Sequence, residues 1–281
     1  MMRLTTLVLL CISPFCCPLS AQESEGTTES GGAEIFYRTH GSGPPLLLVH
    51  GFFSTGELWS GLVPELSQSY HLIVPDMRGM GRSTNPSENF VHAESASDIL
   101  ALLDHLGIDE VQAVGHSSGA LTLIHAATRE PGRFRSLVLL GAPVNNPESV
   151  REFQRGTSFE GFPPHIRENL LRWHPGGEEQ IRRLVSQFNQ FAEESFYDDM
   201  NFEASQFGTI TAETLVVHGD RDIHPIEVAF ETYRAIPNAY LWAVPNGNHA
   251  LVFESWDGSF PGSESFALVL QDFLSGRWST R

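Results

Sequence analysis

From residue 34 onward, the hydrophobic residues of this 281-residue chain fall into short runs bounded by Gly and Pro. Several runs, such as residues 46–49 and 215–217, are continuously apolar, which is typical of parallel strands covered on both faces. We predict strands at residues 35–38, 46–49, 71–74, 111–114, 137–140, 215–217 and 240–244.

Longer stretches between these runs have helical periodicity. Residues 93–106 place their apolar side chains on one broad face, and Gly107 follows as a stop signal. Residues 121–128, 225–235 and 264–274 are similar. Strand and helix therefore alternate, which predicts an α/β fold with a doubly wound, mostly parallel sheet flanked by helices.

One segment, residues 144–208, lacks a strand pattern but contains helical stretches at 164–173 and 178–191. We predict a helical lid inserted here, after the sixth core strand. The segment is rich in aromatic residues, and an aromatic lid would line an apolar pocket. The alternative is that these rings only hold the lid to the main body. The phenylalanines of the segment are Phe153, Phe159, Phe162, Phe188, Phe191, Phe196, Phe202 and Phe207.

The first 21 residues have the layout of a signal peptide: Arg3, then a mostly apolar run, then a small residue at Ala21. Export to the periplasm or the medium is therefore expected, with an uncleaved anchor or lipid attachment to a leader cysteine as lesser alternatives. The apolar run is too short for a membrane span, so the mature chain is expected to have none. Residues 22–33 indicate a flexible lead-in to a single domain over residues 34–281.

Cysteine content and charge narrow the possibilities further. Cys11, Cys16 and Cys17 all lie in the leader, so the mature chain would have neither disulfides nor thiolate metal sites. The net charge is −17 and the chain has no lysine. An acidic surface repels phosphate groups, so nucleic acid is not an expected partner. The sequence carries no signal for a particular oligomeric state.

A candidate nucleophile follows the apolar run at residues 111–114. Gly115-His116-Ser117-Ser118-Gly119 matches Gly-x-Ser-x-Gly, and a helical stretch comes directly after it. In this strand–turn–helix context the pattern predicts a nucleophile elbow, in which a strained turn exposes the serine hydroxyl above the sheet.

A serine hydroxyl needs a general base and a carboxylate that orients that base. Downstream of Ser117, the strand at 215–217 ends in a turn with two carboxylates, Asp220 and Asp222. The strand at 240–244 leads to a loop histidine, His249. All of these candidates follow strand ends, where open α/β sheets place their sites.

Five motifs together resemble the α/β-hydrolase superfamily, in its lidded group of esterases, lactonases, carbon–carbon hydrolases and epoxide hydrolases. They lie at residues 41–51, 76–83, 115–119, 219–222 and 247–249. The resemblance implies a Ser-Asp-His triad of Ser117, Asp222 and His249, with Asp220 as a turn residue. It also implies an oxyanion hole formed by the backbone N–H groups of Phe52 and Ser118.

Other polar residues favour structural roles. His50, His116 and His218 are expected to pack beside the site, and the loop around Asp76 to be structural. No His-x-x-x-His spacing indicates a metal, and no Gly-x-Gly-x-x-Gly follows a strand. The sequence therefore predicts neither a metal nor any other cofactor.

The residue at the elbow bears on the reaction. Epoxide hydrolases and dehalogenases that resemble this sequence use aspartate there, whereas Ser117 favours acyl transfer. The leading prediction is an exported enzyme, a serine carboxylesterase that cleaves a small, largely apolar substrate through an acyl-enzyme. The same triad would serve a lactonase, a carbon–carbon bond hydrolase or a cofactor-free haloperoxidase. A non-catalytic ligand receptor is the alternative from another class.

Overall fold

A computed structural model of the chain describes residues 23–251 and 263–278. Eight strands form one sheet in the order β1-β2-β4-β3-β5-β6-β7-β8. The β1–β2 and β2–β4 pairs are antiparallel, and every other neighbouring pair is parallel. The strands are β1 (Ser24–Ser30), β2 (Ala33–His40), β3 (Pro45–Val49), β4 (His71–Pro75), β5 (Val111–His116), β6 (Phe134–Leu140), β7 (Glu213–Gly219) and β8 (Ala239–Val244).

Helices follow most of these strands. The α-helices are α1 (Val63–Leu66), α2 (His92–His105), α3 (Ser118–Arg129), α4 (Glu148–Gly156), α5 (Pro164–Trp173), α6 (Gly177–Gln190), α7 (Tyr197–Met200), α8 (Ala204–Phe207), α9 (Ile226–Ala235) and α10 (Ser263–Leu274). Short 3₁₀ helices lie at Gly56–Trp59, Pro131–Arg133 and Glu194–Phe196. Within the described part of the chain, none of the helices is long and apolar enough to cross a membrane.

The central strands are apolar without interruption because the sheet is covered on both faces. Leu47 belongs to one buried cluster together with Leu103 of α2 and Leu123 of α3. Its neighbour Leu48 belongs to a second cluster, with Leu270 of α10. Successive side chains of a strand point to opposite faces, so each helical layer is packed by alternate residues. The predicted doubly wound, mostly parallel α/β sheet is confirmed.

The prediction of a flexible lead-in at residues 22–33 is wrong for most of that segment. Ser24–Ser30 forms β1, which pairs with β2 along its whole length and ends opposite Ala33. Gly31 and Gly32 both have positive φ, as a two-residue hairpin turn requires. An edge strand is solvated on one side and is held by backbone hydrogen bonds, so it needs no apolar periodicity.

The polypeptide between β6 and β7 carries α4 to α8 and is called the helical insertion below. It follows the sixth strand, where the sequence predicts the lid at residues 144–208. Its aromatic residues divide between two environments. Phe159, Phe196 and Phe207 are buried in the main core cluster, which is the alternative role considered above. The predicted signal peptide at residues 1–21 lies outside the described residues.

Candidate active site

The structure brings the three predicted triad residues together at the carboxyl ends of parallel strands. Ser117 directly follows β5, Asp222 follows β7, and His249 lies in the loop after β8. The Nε2 atom of His249 is 2.9 Å from Ser117 Oγ. Its Nδ1 atom is 2.9 Å and 3.0 Å from the two carboxylate oxygens of Asp222. Together these contacts form a continuous chain from hydroxyl to carboxylate.

Ser117 occupies a strained turn, with φ 51° and ψ −120°. Its N–H donates to the carbonyl of Leu140 on the neighbouring strand, at 2.8 Å, and its own carbonyl accepts from Leu121 in α3. Two glycines make the turn possible. A Cβ atom at Gly115 would lie 2.7 Å from backbone atoms of Gly119 and Ala120, closer than real Cβ contacts. The serine is thereby held at the junction of strand and helix.

Asp222 is a buried carboxylate with three donors. Its side chain is fully inaccessible, and one of its oxygens accepts from the backbone N–H of His224 at 2.9 Å. Burial raises the pKa of Asp222, but the neighbouring His249 and His224 more than offset this and hold that pKa well below its usual range. A charged carboxylate favours the His249 tautomer with its proton on Nδ1, so Nε2 is free to accept the Ser117 proton.

Asp220, the other carboxylate of this turn, is exposed.

The two predicted oxyanion donors are in position to serve one site. Phe52 follows β3, Ser118 is the first residue of α3, and both are buried and line the same cavity as Ser117. Their role as backbone donors stays a prediction, as does the catalytic role of each triad residue.

A cavity of about 230 Å³ lies over Ser117. Four of its aromatic residues come from the helical insertion, as an apolar lid would require, and two come from the loop after β3. Phe188 packs its ring against Phe52 and Phe53, with centroids 5.6 Å and 5.0 Å apart. Among the described residues, six phenylalanines line the cavity: Phe52, Phe53, Phe153, Phe162, Phe188 and Phe191.

Comparison with known proteins agrees with the fold. Residues 44–174 match a family model described as the alpha/beta hydrolase fold. The chain is 29% identical over 259 residues to a non-heme haloperoxidase of Rhodococcus erythropolis, an alignment that covers 80% of this chain and 92% of the relative. It is 25% identical to a 2-hydroxy-6-oxo-2,4-heptadienoate hydrolase of Pseudomonas putida, with 88% and 94% covered.

A solved structure has the same architecture. The 2-hydroxy-6-oxo-6-phenylhexa-2,4-dienoate hydrolase of Rhodococcus sp. strain RHA1 superposes with a TM-score of 0.71 at 20% identity, covering 90% of this chain and 99% of that one. The chain belongs to the α/β-hydrolase superfamily. The superfamily relatives found by sequence include a haloperoxidase, epoxide hydrolases and carbon–carbon bond hydrolases.

In this α/β hydrolase, the charged loop after β4 has structural contacts. The carboxylate of Asp76 accepts from the backbone N–H groups of Gly56 and Arg82, at 2.8 Å and 3.0 Å. Arg78 is buried and makes two 2.7 Å hydrogen bonds to the carboxylate of Asp98 in α2. These bonds tie the loop to the body of the protein.

His224 is a residue of the hydrolase site that the sequence motifs did not indicate. Its Nδ1 lies 3.3 Å from Asp222 Oδ1, so two histidines face one carboxylate, and it also lines the cavity. Among the described residues, Asp222, His224 and His249 place their donor atoms within 4.8 Å of one another, a set that could hold a metal such as zinc. The only sequence signal for His224 was its position two residues after the predicted acid, Asp222.

Proposed function

We propose that this α/β hydrolase cleaves carboxylic esters of small, largely apolar substrates through an acyl-enzyme on Ser117. The observation that carries the proposal is the contact chain from Ser117 Oγ through His249 to the charged Asp222. A serine hydroxyl with a base in contact and the base oriented by a carboxylate is the arrangement that acyl transfer requires.

The steps follow from these atoms. His249 Nε2 takes the Ser117 proton while Oγ attacks the ester carbonyl, and the backbone N–H groups of Phe52 and Ser118 stabilise the resulting oxyanion. The intermediate then collapses, and the alcohol leaves with the proton from His249. Water repeats the sequence on the acyl-enzyme, which releases the acid and restores the Ser117 hydroxyl.

The cavity lining supports a neutral substrate. Three histidines line the cavity, but none of the chain's 17 arginines does among the described residues, and the chain has no lysine. Residues 252–262, which follow the His249 loop, contain no basic residue in sequence. A dienoate of the kind named for the Pseudomonas putida relative carries a carboxylate, and burying a carboxylate without a cationic partner is costly. An uncharged ester avoids that cost.

The test is hydrolysis of p-nitrophenyl esters with acyl chains of two to twelve carbons, by the wild type and by Ser117→Ala. We expect turnover by the wild type and a loss of about 10³-fold or more in kcat for the variant. Equal turnover by both proteins would overturn the proposal. A lactone and a diketone in the same panel separate ester cleavage from the other reactions that the triad could serve.

A ligand receptor would bind its ligand in the same cavity without catalysing a reaction. A fluorophosphonate probe separates the two functions, because it labels only an activated serine. Stoichiometric labelling of wild type and none of Ser117→Ala is the result expected of an enzyme. No labelling of either protein would favour the receptor.

We further propose that the protein is exported, on the basis of the leader pattern at residues 1–21. The expected mature chain begins at Gln22. Expression of the full chain in a host with a secretion system, followed by mass spectrometry of the N-terminus, tests this. An intact leader on protein that stays in the cytoplasm would contradict it.

A further inference from the structure

A second Ser-His-Asp set lies beside the proposed triad. His92 Nε2 is 3.1 Å from the hydroxyl of Ser118, the residue next to the nucleophile. The Nδ1 atom of the same ring is 2.6 Å from a carboxylate oxygen of Asp199. The order of contacts is the same as in Ser117, His249 and Asp222, but His92 and Asp199 belong to no motif of the sequence.

His92 and Ser118 are buried and Asp199 is half-buried. The Asp199 carboxylate determines which groups of the set donate and which accept. Its carboxylate also accepts the backbone N–H groups of His92 and Ala93, at 2.8 Å and 3.0 Å. Burial raises the pKa of Asp199, but His92 and these N–H groups outweigh that effect and bring the pKa to about 2. Because a carboxylate can only accept, His92 Nδ1 donates to it. In the neutral ring Nε2 then carries no proton and accepts a hydrogen bond from the Ser118 hydroxyl.

The three residues come from three separate elements. Asp199 lies on α7 of the helical insertion, His92 begins α2, and Ser118 begins α3 directly after the nucleophile. The His92 ring also packs against Phe191, which lines the cavity, with centroids 5.1 Å apart. The set therefore connects the insertion to the residue whose backbone N–H is one of the two predicted oxyanion donors.

We propose that Asp199 and His92 are positioning residues, which hold Ser118 in the geometry that the oxyanion hole needs as long as α7 is docked. This inference rests on the proposed function of Ser117. A hydrogen bond from the Ser118 side chain fixes its rotamer and the first turn of α3, and with them the direction of the Ser118 N–H. Misplacement of an oxyanion donor slows acyl transfer, because the donor must meet the charge that develops in the transition state.

Asp199→Asn is the informative substitution. With its oxygen on the Ala93 N–H, the asparagine would place its amide group at the position of Oδ2, where it would donate to His92 Nδ1. The ring would then carry its proton on Nε2 and donate to Ser118, so the hydroxyl could no longer donate there. Of the two backbone bonds that cap α2, the one from the Ala93 N–H would be retained and the one from the His92 N–H lost, whereas the link to Ser118 would be reversed. Asp198→Asn, an exposed neighbour on α7, is the matched control.

The kinetic test is a double-mutant cycle of Asp199→Asn and Ser118→Ala. We measure kcat and KM for a p-nitrophenyl ester and the rate of Ser117 labelling by a fluorophosphonate. We expect each single variant to lower both kcat and the labelling rate about 10-fold, and the double variant to be no slower than Ser118→Ala alone. Asp198→Asn should match the wild type. Losses that multiply in the double variant, or no loss in Asp199→Asn, would overturn the proposal.

A second measurement does not depend on the reaction. Nitrogen-15 NMR of the His92 ring should show the proton on Nδ1 in the wild type and on Nε2 in Asp199→Asn. A wild-type ring protonated on Nε2 contradicts the inference whatever the substrate is. Absence of Ser117 labelling in the wild type would refute the proposed function instead, and the NMR result would then still decide how Ser118 is held.

Discussion

His249 Nε2 lies 2.9 Å from Ser117 Oγ, although 132 residues separate the two in the chain. Two strands, β6 and β7, stand between the strand that precedes Ser117 and the strand that precedes His249. The loop after β8 therefore reaches back over the carboxyl ends of its neighbours. Asp222 follows β7, which lies next to β8, and its buried carboxylate holds the His249 ring in contact with Ser117.

Asp222→Asn should reduce ester hydrolysis strongly without unfolding the protein. The amide cannot accept at both positions, so the His249 tautomer that accepts the serine proton is no longer favoured. We expect kcat to fall about 10³- to 10⁴-fold, as measured by steady-state kinetics alongside the melting temperature.

Asp220→Asn is the matched control, because this carboxylate lies two residues away in the same turn and is exposed. We expect a change in kcat of less than about twofold, since a surface charge has little effect on the triad. A larger effect of Asp220→Asn than of Asp222→Asn would reverse the assignment of the acid.

Gly115→Ala should destabilise the fold. The added methyl group would lie 2.7 Å from backbone atoms of Gly119 and Ala120, which cannot move without changing the elbow. We expect the free energy of unfolding to fall by about 2 kcal/mol or more in urea denaturation. Gly132→Ala, at a position where a Cβ meets no atom within 4 Å, should leave stability nearly unchanged.

The stability of the protein should fall between pH 6.5 and pH 4. Burial lowers the pKa of His50 and of His174 from 6.5 to about 4. His50 Nε2 accepts from the Met77 N–H at 2.9 Å, which only the unprotonated nitrogen can do. The unfolded chain therefore binds more protons in this range, and each histidine contributes up to about 3 kcal/mol above pH 6.5 that is lost by pH 4.

Urea denaturation at pH 4.5, 5.5 and 7 measures this pH dependence. Asp199 and Asp222, two carboxylates of the interior with a lowered pKa, lose their contribution to stability mainly below the ordinary aspartate pKa, so they do not dominate this range. His174→Asn should make the pH dependence shallower. Replacement of the exposed His165 by Asn should not change it, and an identical slope in wild type and His174→Asn would contradict the explanation.

Phe188→Ala should shift the preference of the enzyme toward longer acyl chains. Its ring fills space against Phe52 and Phe53 on the cavity wall, so removing it enlarges the pocket over Ser117. We expect the ratio of kcat/KM for a ten-carbon ester to that for a four-carbon ester to rise about 10-fold. Phe230→Ala, on the exposed surface of α9, should leave the ratio unchanged.

Much of the fold could be predicted from local pattern. Short apolar runs identified seven of the eight described strands. Several of these runs are continuously apolar, because strands covered on both faces leave little room for polar side chains. Strand β1 was missed, since its pairing with β2 depends on backbone hydrogen bonds and on the turn at Gly31 and Gly32 rather than on apolar side chains. The insertion was predicted from the absence of strands and from its aromatic content.

The sequence by itself determined the elbow at Ser117 and the candidates Asp220, Asp222 and His249, because glycine spacing, turn residues and strand ends are local features. The resemblance to α/β hydrolases then selected Asp222. The tertiary structure alone decided which side chains meet. Asp199 reaches His92 across 107 residues, and His224 shares the carboxylate of Asp222. The first contact arises from the packing of the insertion on α2, and the second from the path of the turn after β7. No periodicity along the chain encodes either contact.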